Sequence, residues 1–240
     1  MSRGARRTLF LVGAATLGGF FVWGFGGLPD FGHFDGRYGL LLDRVAVHER
    51  HTTDVVSAVV FDYRGFDTLG EEFILFASAI GTAVLMRRTR GGARGLQPET
   101  PSDALSLLAA PLGGLLLLLG VYVAAHGYVT PGGGFQGGVV LAAIPVVAFL
   151  GGGFAVFRRI APEPALDALE GIALAGFVSL GIAGVVSGAG YLGNLLPLGT
   201  AGTLAAGGTI AVLNDITALA VGAAFVLFLS EFLEEIAVGE

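Results

Sequence analysis

The chain has 240 residues, of which 54% are hydrophobic and only 13% are charged. Soluble globular proteins carry about 25% charged residues, so the composition excludes a water-soluble domain and is typical of a membrane protein. The net charge of −6 argues against a nucleic-acid partner, which requires a basic surface. The chain has no cysteine, its histidines lack zinc-site spacing, and it carries no flavin, quinone or iron–sulfur motif. We therefore expect no metal centre and no cofactor.

The first predicted membrane span covers about residues 8–28 and follows an arginine-rich start. Paired arginines before an apolar run resemble an export signal. The apolar run is longer than the roughly 7–15 residues of a signal-peptide core, and no A-x-A cleavage site follows it. We interpret this segment as a retained membrane helix.

A polar stretch, residues 29–67, separates the first two spans, and residues 54–66 within it are amphipathic. Its apolar side chains recur at helical spacing: Val55, Val56, Val59, Val60, Tyr63 and Phe66. The segment is too short to cross a bilayer. It therefore predicts a helix that lies in the membrane interface.

The second span contains too few uncharged residues to cross the membrane. Residues 73–86 provide 14 of them, or about 21 Å of helix against a hydrocarbon core of about 30 Å. The helix must begin near residues 67–69, which places Glu71 and Glu72 at the membrane edge or inside it. Ionisable groups inside a membrane are functional candidates by default. The alternative for Glu71 is structural, because Thr68-x-x-Glu71 is also a capping box.

The sixth span has the same property, since the uncharged run at residues 216–230 holds only 15 residues. It must begin near Thr209, which places Asn214 and Asp215 one to two helical turns below the membrane surface. These two residues are further ion-path candidates. The alternative is helix packing, because Ala211, Ala218 and Gly222 share their face.

A charged segment rich in glycine and proline separates the second span from the third. The sequence predicts a two-span region at 1–95, a linker at 96–102 and a four-span domain at 103–240, with spans near 103–125, 134–157 and 165–187 before the sixth. Arginines are concentrated in loops that are cytoplasmic if the N-terminus is inside. The predicted fold is an all-α polytopic membrane protein with about six transmembrane helices, one interfacial helix and both termini in the cytoplasm.

Residues 130–138 read TPGGGFQGG and form the most unusual motif of the chain: Thr130, Pro131, Gly132, Gly133, Gly134, Phe135, Gln136, Gly137 and Gly138. The glycines predict a tight outer turn followed by a closely packed helix face. We expect the Gln136 amide to point into that packed interface. The alternative is that the motif lines a wet crevice.

Residues 126–143, HGYVTPGGGFQGGVVLAA, resemble the signature of the MnhB-like (B-type) subunit of the multisubunit (Mrp-type) Na+/H+ antiporters. The stretch AVLNDITALAVGAAF resembles the last span of that family, so the resemblance covers about residues 101–240. Further upstream, TTDVVSAVVFDYRGFDTLGEEFILFASAIG is similar to the C-terminal tail of the large A-type antiporter subunit. It is equally similar to the small E-type subunit of membrane-bound hydrogenases. The residues 51–54, His-Thr-Thr-Asp, depart from the asparagine with which that pattern begins.

These resemblances imply a non-catalytic subunit of a multisubunit Na+/H+ antiporter in a prokaryotic cell membrane. Its partners would be the other antiporter subunits, the lipid bilayer, and Na+ and H+ as transported ions. The alternative is a membrane-arm subunit of a hydrogenase or related respiratory complex. The chain has no lysine, so we expect it to assist an ion pump rather than to be one.

Four further residues are candidates for a functional role. Asp62, Arg64 and Asp67 match the pattern of the A-type tail and are candidates for a contact between subunits, with plain surface salt bridging as the alternative. His126, at the outer end of the third span, is an ion-path candidate because histidine titrates near neutral pH. The alternative for His126 is a structural helix-end residue.

Overall fold

The computed structural model describes residues 2–28, 31–32, 36–87 and 103–237, and no strand occurs among them. The helices are α1 (Arg3–Gly26), α2 (Arg37–Arg50), α3 (Val55–Ala58), α4 (Gly65–Arg87), α5 (Asp103–Ala125), α6 (Gly134–Ile160), α7 (Glu163–Val186) and α8 (Thr209–Ala237), with a π-helical segment (Val59–Tyr63) between α3 and α4. The predicted linker at 96–102 and the arginines at 88, 90 and 94 lie outside the described residues.

Six of these helices, α1 and α4 to α8, are long and apolar enough to cross a membrane. The predicted all-α fold with six spans is therefore confirmed. The predicted starts of α5, α6 and α8 coincide with the observed ones. α6 extends three residues beyond its predicted end at residue 157, and α8 continues to Ala237.

The chain forms two compact units, Met1–Leu41 and Leu42–Glu240. The first contains α1, none of whose residues is buried. Ser2 caps the start of α1, since its hydroxyl accepts a hydrogen bond of 3.2 Å from the backbone N–H of Ala5.

The predicted interfacial helix at 54–66 is divided, because the π-helical segment interrupts it and leads directly into α4. A π-turn contains an extra residue and shifts every later side chain around the helix axis. The buried face therefore consists of Ser57, Ala58 and Phe61, whereas Val56 and Phe66 of the predicted apolar stripe are 62% and 71% exposed. A prediction that assumes constant helical spacing could not locate the buried face.

α8 is the central helix of the second unit, where it packs against α4, α5, α6 and α7. Its core side chains include Leu213 and Val221, both fully buried. Asn194, in the loop before α8, fixes its start, because the Asn194 Oδ1 accepts a 2.9 Å hydrogen bond from the backbone N–H of Thr209. Every element that contributes to the candidate site therefore contacts one helix.

Candidate functional site

The glycines of the TPGGGFQGG motif bring α6 into backbone contact with two neighbouring helices. A Cβ atom on Gly134 would lie 2.3 Å from the backbone oxygen of Asn214, and one on Gly138 would lie 2.8 Å from that of Ala218, both on α8. On the other side of α6, a Cβ on Gly137 would lie 2.7 Å from that of Ala124 on α5. Such separations leave no room for any side chain, so both helix contacts depend on glycine.

The turn that precedes α6 also depends on glycine. Gly133 has φ 142°, in the region that favours glycine. Thr130 donates a 3.4 Å hydrogen bond to the carbonyl of His126, Gly132 lies against the Val123 carbonyl, and Pro131 is exposed. This turn places the first N–H group of α6 opposite α8.

Gln136 is exposed. This differs from the prediction that its amide points into the packed interface between the helices. Successive residues of an α-helix are about 100° apart around the axis. Residue 136 is therefore opposite the Gly134 face that contacts α8 and also turned away from Gly137. Phe135, its neighbour, is partly buried.

Asn214 is fully buried and joins three helices through its side-chain amide. Its Oδ1 accepts a 2.7 Å hydrogen bond from the backbone N–H of Gly134, and its Nδ2 donates to the carbonyl of Ala124. Asn214 thus ties the end of α5 and the start of α6 to α8. Its neighbour Asp215 is exposed on the other side of α8.

His126 directly follows α5 and stacks on Tyr122, with ring centroids 4.3 Å apart. Its Nδ1 is buried and has no hydrogen-bond partner in the described part of the chain.

Thr68 does not cap α4, so the capping-box interpretation is wrong. α4 begins at Gly65, one turn before the predicted start, and Thr68 is buried inside the helix. Its hydroxyl donates to the carbonyl of Val60 in the π-helical segment. That hydrogen bond stabilises the bend between the π-helical segment and α4.

Asp62, Arg64 and Asp67 belong to two separate ion pairs rather than to one cluster. Asp62 accepts a 2.6 Å hydrogen bond from the Nε of Arg50, whereas Arg64 binds Asp67 at 2.6 Å on the exposed surface. The Arg50 guanidinium also lies 4.8 Å from the centre of the Tyr63 ring.

Tyr63 extends the Arg50 pair, because its hydroxyl donates a 2.6 Å hydrogen bond to Glu49 Oε2. Burial of the hydroxyl, followed by this hydrogen bond, raises the pKa of Tyr63 to about 12. A phenol that donates to a carboxylate resists deprotonation, so the network remains intact at neutral pH.

Glu71 and Glu72 occupy different faces of α4. Glu71 is exposed, whereas Glu72 is only 2% exposed and lies against the other helices. The Oε1 atom of Glu72 is buried and has no hydrogen-bond partner among the described residues. The hydroxyl of Thr217 on α8 is a neighbour of this carboxyl group and is fully buried.

Glu170 on α7 is a second buried carboxyl group, which the sequence analysis missed. The residue is 3% exposed, and its Oε1 has no hydrogen-bond partner within the described ranges. A signal was available: Glu163, Asp167 and Glu170 recur at i, i+4 and i+7 in an otherwise apolar helix. The first two complement the helix dipole, but Glu170 is seven residues inside, where the dipole no longer favours an acid.

A pocket of about 320 Å³ lies between α4, α7 and α8 and ends at Glu170. Its acidic lining comes from α7 and α8, whereas the lining from α4 is apolar. In the described parts of the chain, no group of three or more carboxylate or imidazole side chains is arranged to hold a metal ion. The arrangement is that of an acidic cleft leading to a carboxyl group within the helix bundle.

Two family models match this chain. One, described as a domain related to MnhB subunit of Na+/H+ antiporter, matches residues 104–227, and the other, MbhE, which is described as a subunit of MBH, matches residues 39–102. Uncharacterized protein MJ1307 of Methanocaldococcus jannaschii is 29% identical over 194 residues, which cover 73% of this chain and 72% of that protein.

Two solved membrane complexes contain similar chains. A chain of the membrane-bound sulfane sulfur reductase (MBS), an archaeal respiratory membrane complex, has a TM-score of 0.72 and 28% identity, covering 95% of this chain and 98% of that chain. A chain of the Mrp complex from Dietzia sp. DQ12-45-1b has a TM-score of 0.65 and 25% identity, covering 96% of this chain but only 26% of that chain.

The two family matches confirm the predicted resemblance to the MnhB-like antiporter subunit, with an N-terminal part like MbhE. The MnhB match alone spans more than half of the 240 residues. The chain therefore belongs to the family of domains related to the MnhB subunit of Na+/H+ antiporters, and it is an antiporter-module subunit of a membrane complex.

Proposed function

We propose that this chain is a non-catalytic membrane subunit of a multisubunit Na+/H+ antiporter, in which it helps to build the ion path. It would reside in a prokaryotic cell membrane with both termini in the cytoplasm and with other antiporter subunits as partners. Within it, residues 1–95 would be the MbhE-like region, joined by 96–102 to the MnhB-like domain at 103–240.

The observation that carries this proposal is the presence of two buried carboxyl groups, Glu72 and Glu170, among three membrane helices. The Oε1 atom of each has no hydrogen-bond partner among the residues that the structure describes. Burying a carboxylate without a partner costs several kcal/mol. A protein that retains two of them requires a compensating role, and both a proton and a monovalent cation are suitable partners for a carboxylate. Glu170 is also near enough to Glu72 to act on it electrostatically.

Glu71 and Asp215 support the proposal in a different way. Both are exposed on helices that have the length and composition of membrane spans. A carboxylate facing lipid is costly, so these two residues favour contact with a neighbouring subunit or with water between subunits. The exposed Arg64–Asp67 pair is a candidate for the same kind of contact outside the membrane.

Exchange by the assembled complex provides the test. In inverted vesicles with the whole complex, we expect Glu72→Gln and Glu170→Gln each to lower Na+/H+ exchange about tenfold or more, the equivalent of about 1.4 kcal/mol. Asp103→Asn, the same change at an exposed helix start, is the control. Full exchange in both variants, with normal assembly, would falsify the ion-path role.

The second candidate is a membrane-arm subunit of a redox-driven respiratory complex. It is favoured by the match to the sulfane sulfur reductase, whose similar chain is covered over 98% of its length. The two candidates differ in what drives exchange. An antiporter works on an imposed ion gradient with no electron donor, whereas the redox complex pumps only with a reductant and co-purifies with subunits that absorb visible light. Exchange by this chain purified alone would contradict both candidates.

A further inference from the structure

The pocket between α4, α7 and α8 becomes progressively more buried along α7. Its mouth is at the end of the bundle where α7 begins, with exposed Asp167 and half-buried Glu163 on the wall. One turn further, Glu170 is only 3% exposed yet still lines the pocket, and its Oε1 has no hydrogen-bond partner in the described chain. The acidic mouth thus leads to a buried oxygen atom that is free to accept a ligand.

A second oxygen ligand faces the pocket from α8. Ser230 is 3% exposed, and its hydroxyl donates a 2.7 Å hydrogen bond to the carbonyl of Leu227. Because the hydroxyl proton is committed to that carbonyl, the lone pairs of the Ser230 oxygen remain available to a cation.

Among the described residues, the charged groups around Glu170 are acidic on each helix packed against it. They are Glu72 on α4, Glu163 and Asp167 on α7, and Glu231 on α8. No arginine or histidine lines the pocket in the part of the chain that the structure describes. The carboxyl groups of Asp167 and Glu170, beside an apolar wall from α4, favour a counter-ion of the opposite sign in this pocket.

Size and ligand number define the class of ion. A pocket of about 320 Å³ holds about ten waters, at roughly 30 Å³ each. A partly hydrated ion therefore fits. One buried carboxylate and one hydroxyl balance a single positive charge, whereas Ca²⁺ sites use six to eight oxygen ligands with several carboxylates.

We propose that this pocket is a binding site for a monovalent cation, with the Glu170 carboxylate and the Ser230 hydroxyl as its protein ligands. The cation competes with a proton for Glu170. The identity of the cation as Na+ rests on the proposed function, whereas the site itself rests on the pocket geometry.

Carbodiimide labelling of the purified complex tests the site without measuring transport. Dicyclohexylcarbodiimide modifies protonated carboxyl groups in apolar surroundings, and peptide mass spectrometry identifies which glutamate reacts. We expect labelling of Glu170 at acidic pH, falling about tenfold when sodium exceeds its dissociation constant tenfold. Choline chloride at the same concentration should not protect Glu170, and Glu170→Gln should remove this labelled site.

Ser230→Ala should raise the sodium concentration needed for protection while Glu170 is still labelled. Ser187→Ala is the matched control, because Ser187 also donates to a carbonyl three residues earlier, 2.9 Å away, but lies at the other end of α7. Labelling of Glu170 that no monovalent cation reduces would identify a proton-only group and overturn the site. Sodium protection in a complex that exchanges no ions would support the site and contradict the proposed function instead.

Discussion

Asn214 is the residue on which the packing of three helices depends most directly. Its amide oxygen accepts from the Gly134 N–H at the start of α6, which has no intrahelical partner. Its amide nitrogen donates to the Ala124 carbonyl, which also accepts a 3.0 Å hydrogen bond from the backbone N–H of Gly127. Polar backbone groups deep in a helix bundle have no water to replace this side chain. The amide thus holds α5, α6 and α8 together through one accepted and one donated hydrogen bond.

We expect Asn214→Ala to lower the free energy of unfolding by about 1–3 kcal/mol, because the buried N–H of Gly134 loses its partner. Thermal unfolding of the complex in detergent measures the loss. Leu219→Ala, a truncation at an exposed position of the same helix, should change little. An Asn214→Ala protein as stable as the unchanged chain would show that water replaces the amide.

Tyr63 should be among the last tyrosines to ionise. Its pKa is raised from 10.0 to about 12, so its hydrogen bond to Glu49 contributes stability that is complete below about pH 10 and is lost as the pH rises through about 12. An ultraviolet absorbance titration should show a step near pH 12 that Tyr63→Phe removes. Glu49→Gln should move that step to lower pH, and an unchanged titration in Tyr63→Phe would refute the assignment.

The neighbouring pair Glu71 and Glu72 illustrates what sequence can predict at this scale. Hydropathy placed both residues near the membrane, because a short uncharged run forces the helix to include them. It could not decide which of the two is buried, since that depends on the rotation of α4, which the Thr68–Val60 hydrogen bond and the π-helical segment determine. The sequence analysis missed Glu170 because the fifth span is long enough to cross the membrane whether or not this residue is included.

At the scale of the elements, the contact between α6 and α8 depends on the absence of side chains. A Cβ on Gly138 would lie 2.8 Å from both the Ala218 oxygen and the Val221 Cβ. Two backbones that approach so closely gain packing along the whole seam. The motif was recognisable in the sequence as a helix-packing pattern, but its two different partner helices were not.

Gly138→Ala should lower the free energy of unfolding by about 1–3 kcal/mol, the cost of inserting an extra methyl group into a packed interior. Gly114→Ala on α5 is the control, because nothing lies within 4 Å of its Cβ position. There the better helix propensity of alanine should leave stability unchanged or raise it by up to about 1 kcal/mol. Equal effects at the two positions would contradict the tight seam. Thermal unfolding in detergent compares them.

At the scale of the whole molecule, the six spans and the positions of most arginines together predict which side each loop faces. The number of spans was predictable because about 20 apolar residues per crossing is a strong signal. The course of residues 54–66 was not, because a π-turn has no comparable signature in hydropathy. Both termini on the cytoplasmic side remain a prediction.

Single cysteines provide the test, since the chain contains none of its own. In intact cells, a maleimide that cannot cross the membrane should react with Thr200→Cys, in the loop before α8. It should react with Ser2→Cys and Arg159→Cys only after the membrane is opened. All three positions are exposed, so access depends on the side of the membrane. Reaction of Arg159→Cys in intact cells would invert the predicted topology.

The close contact between α6 and α8 at the motif glycines affects where water can enter the helix bundle. Where the backbones of α6 and α8 are in contact, there is no room for a chain of water molecules. The side of α8 that faces α6 therefore excludes water. The opposite flank, towards α4 and α7, holds the acidic cleft and both interior carboxyl groups. On the proposed ion path, α8 would therefore separate a closed half of the bundle from the half that carries ions.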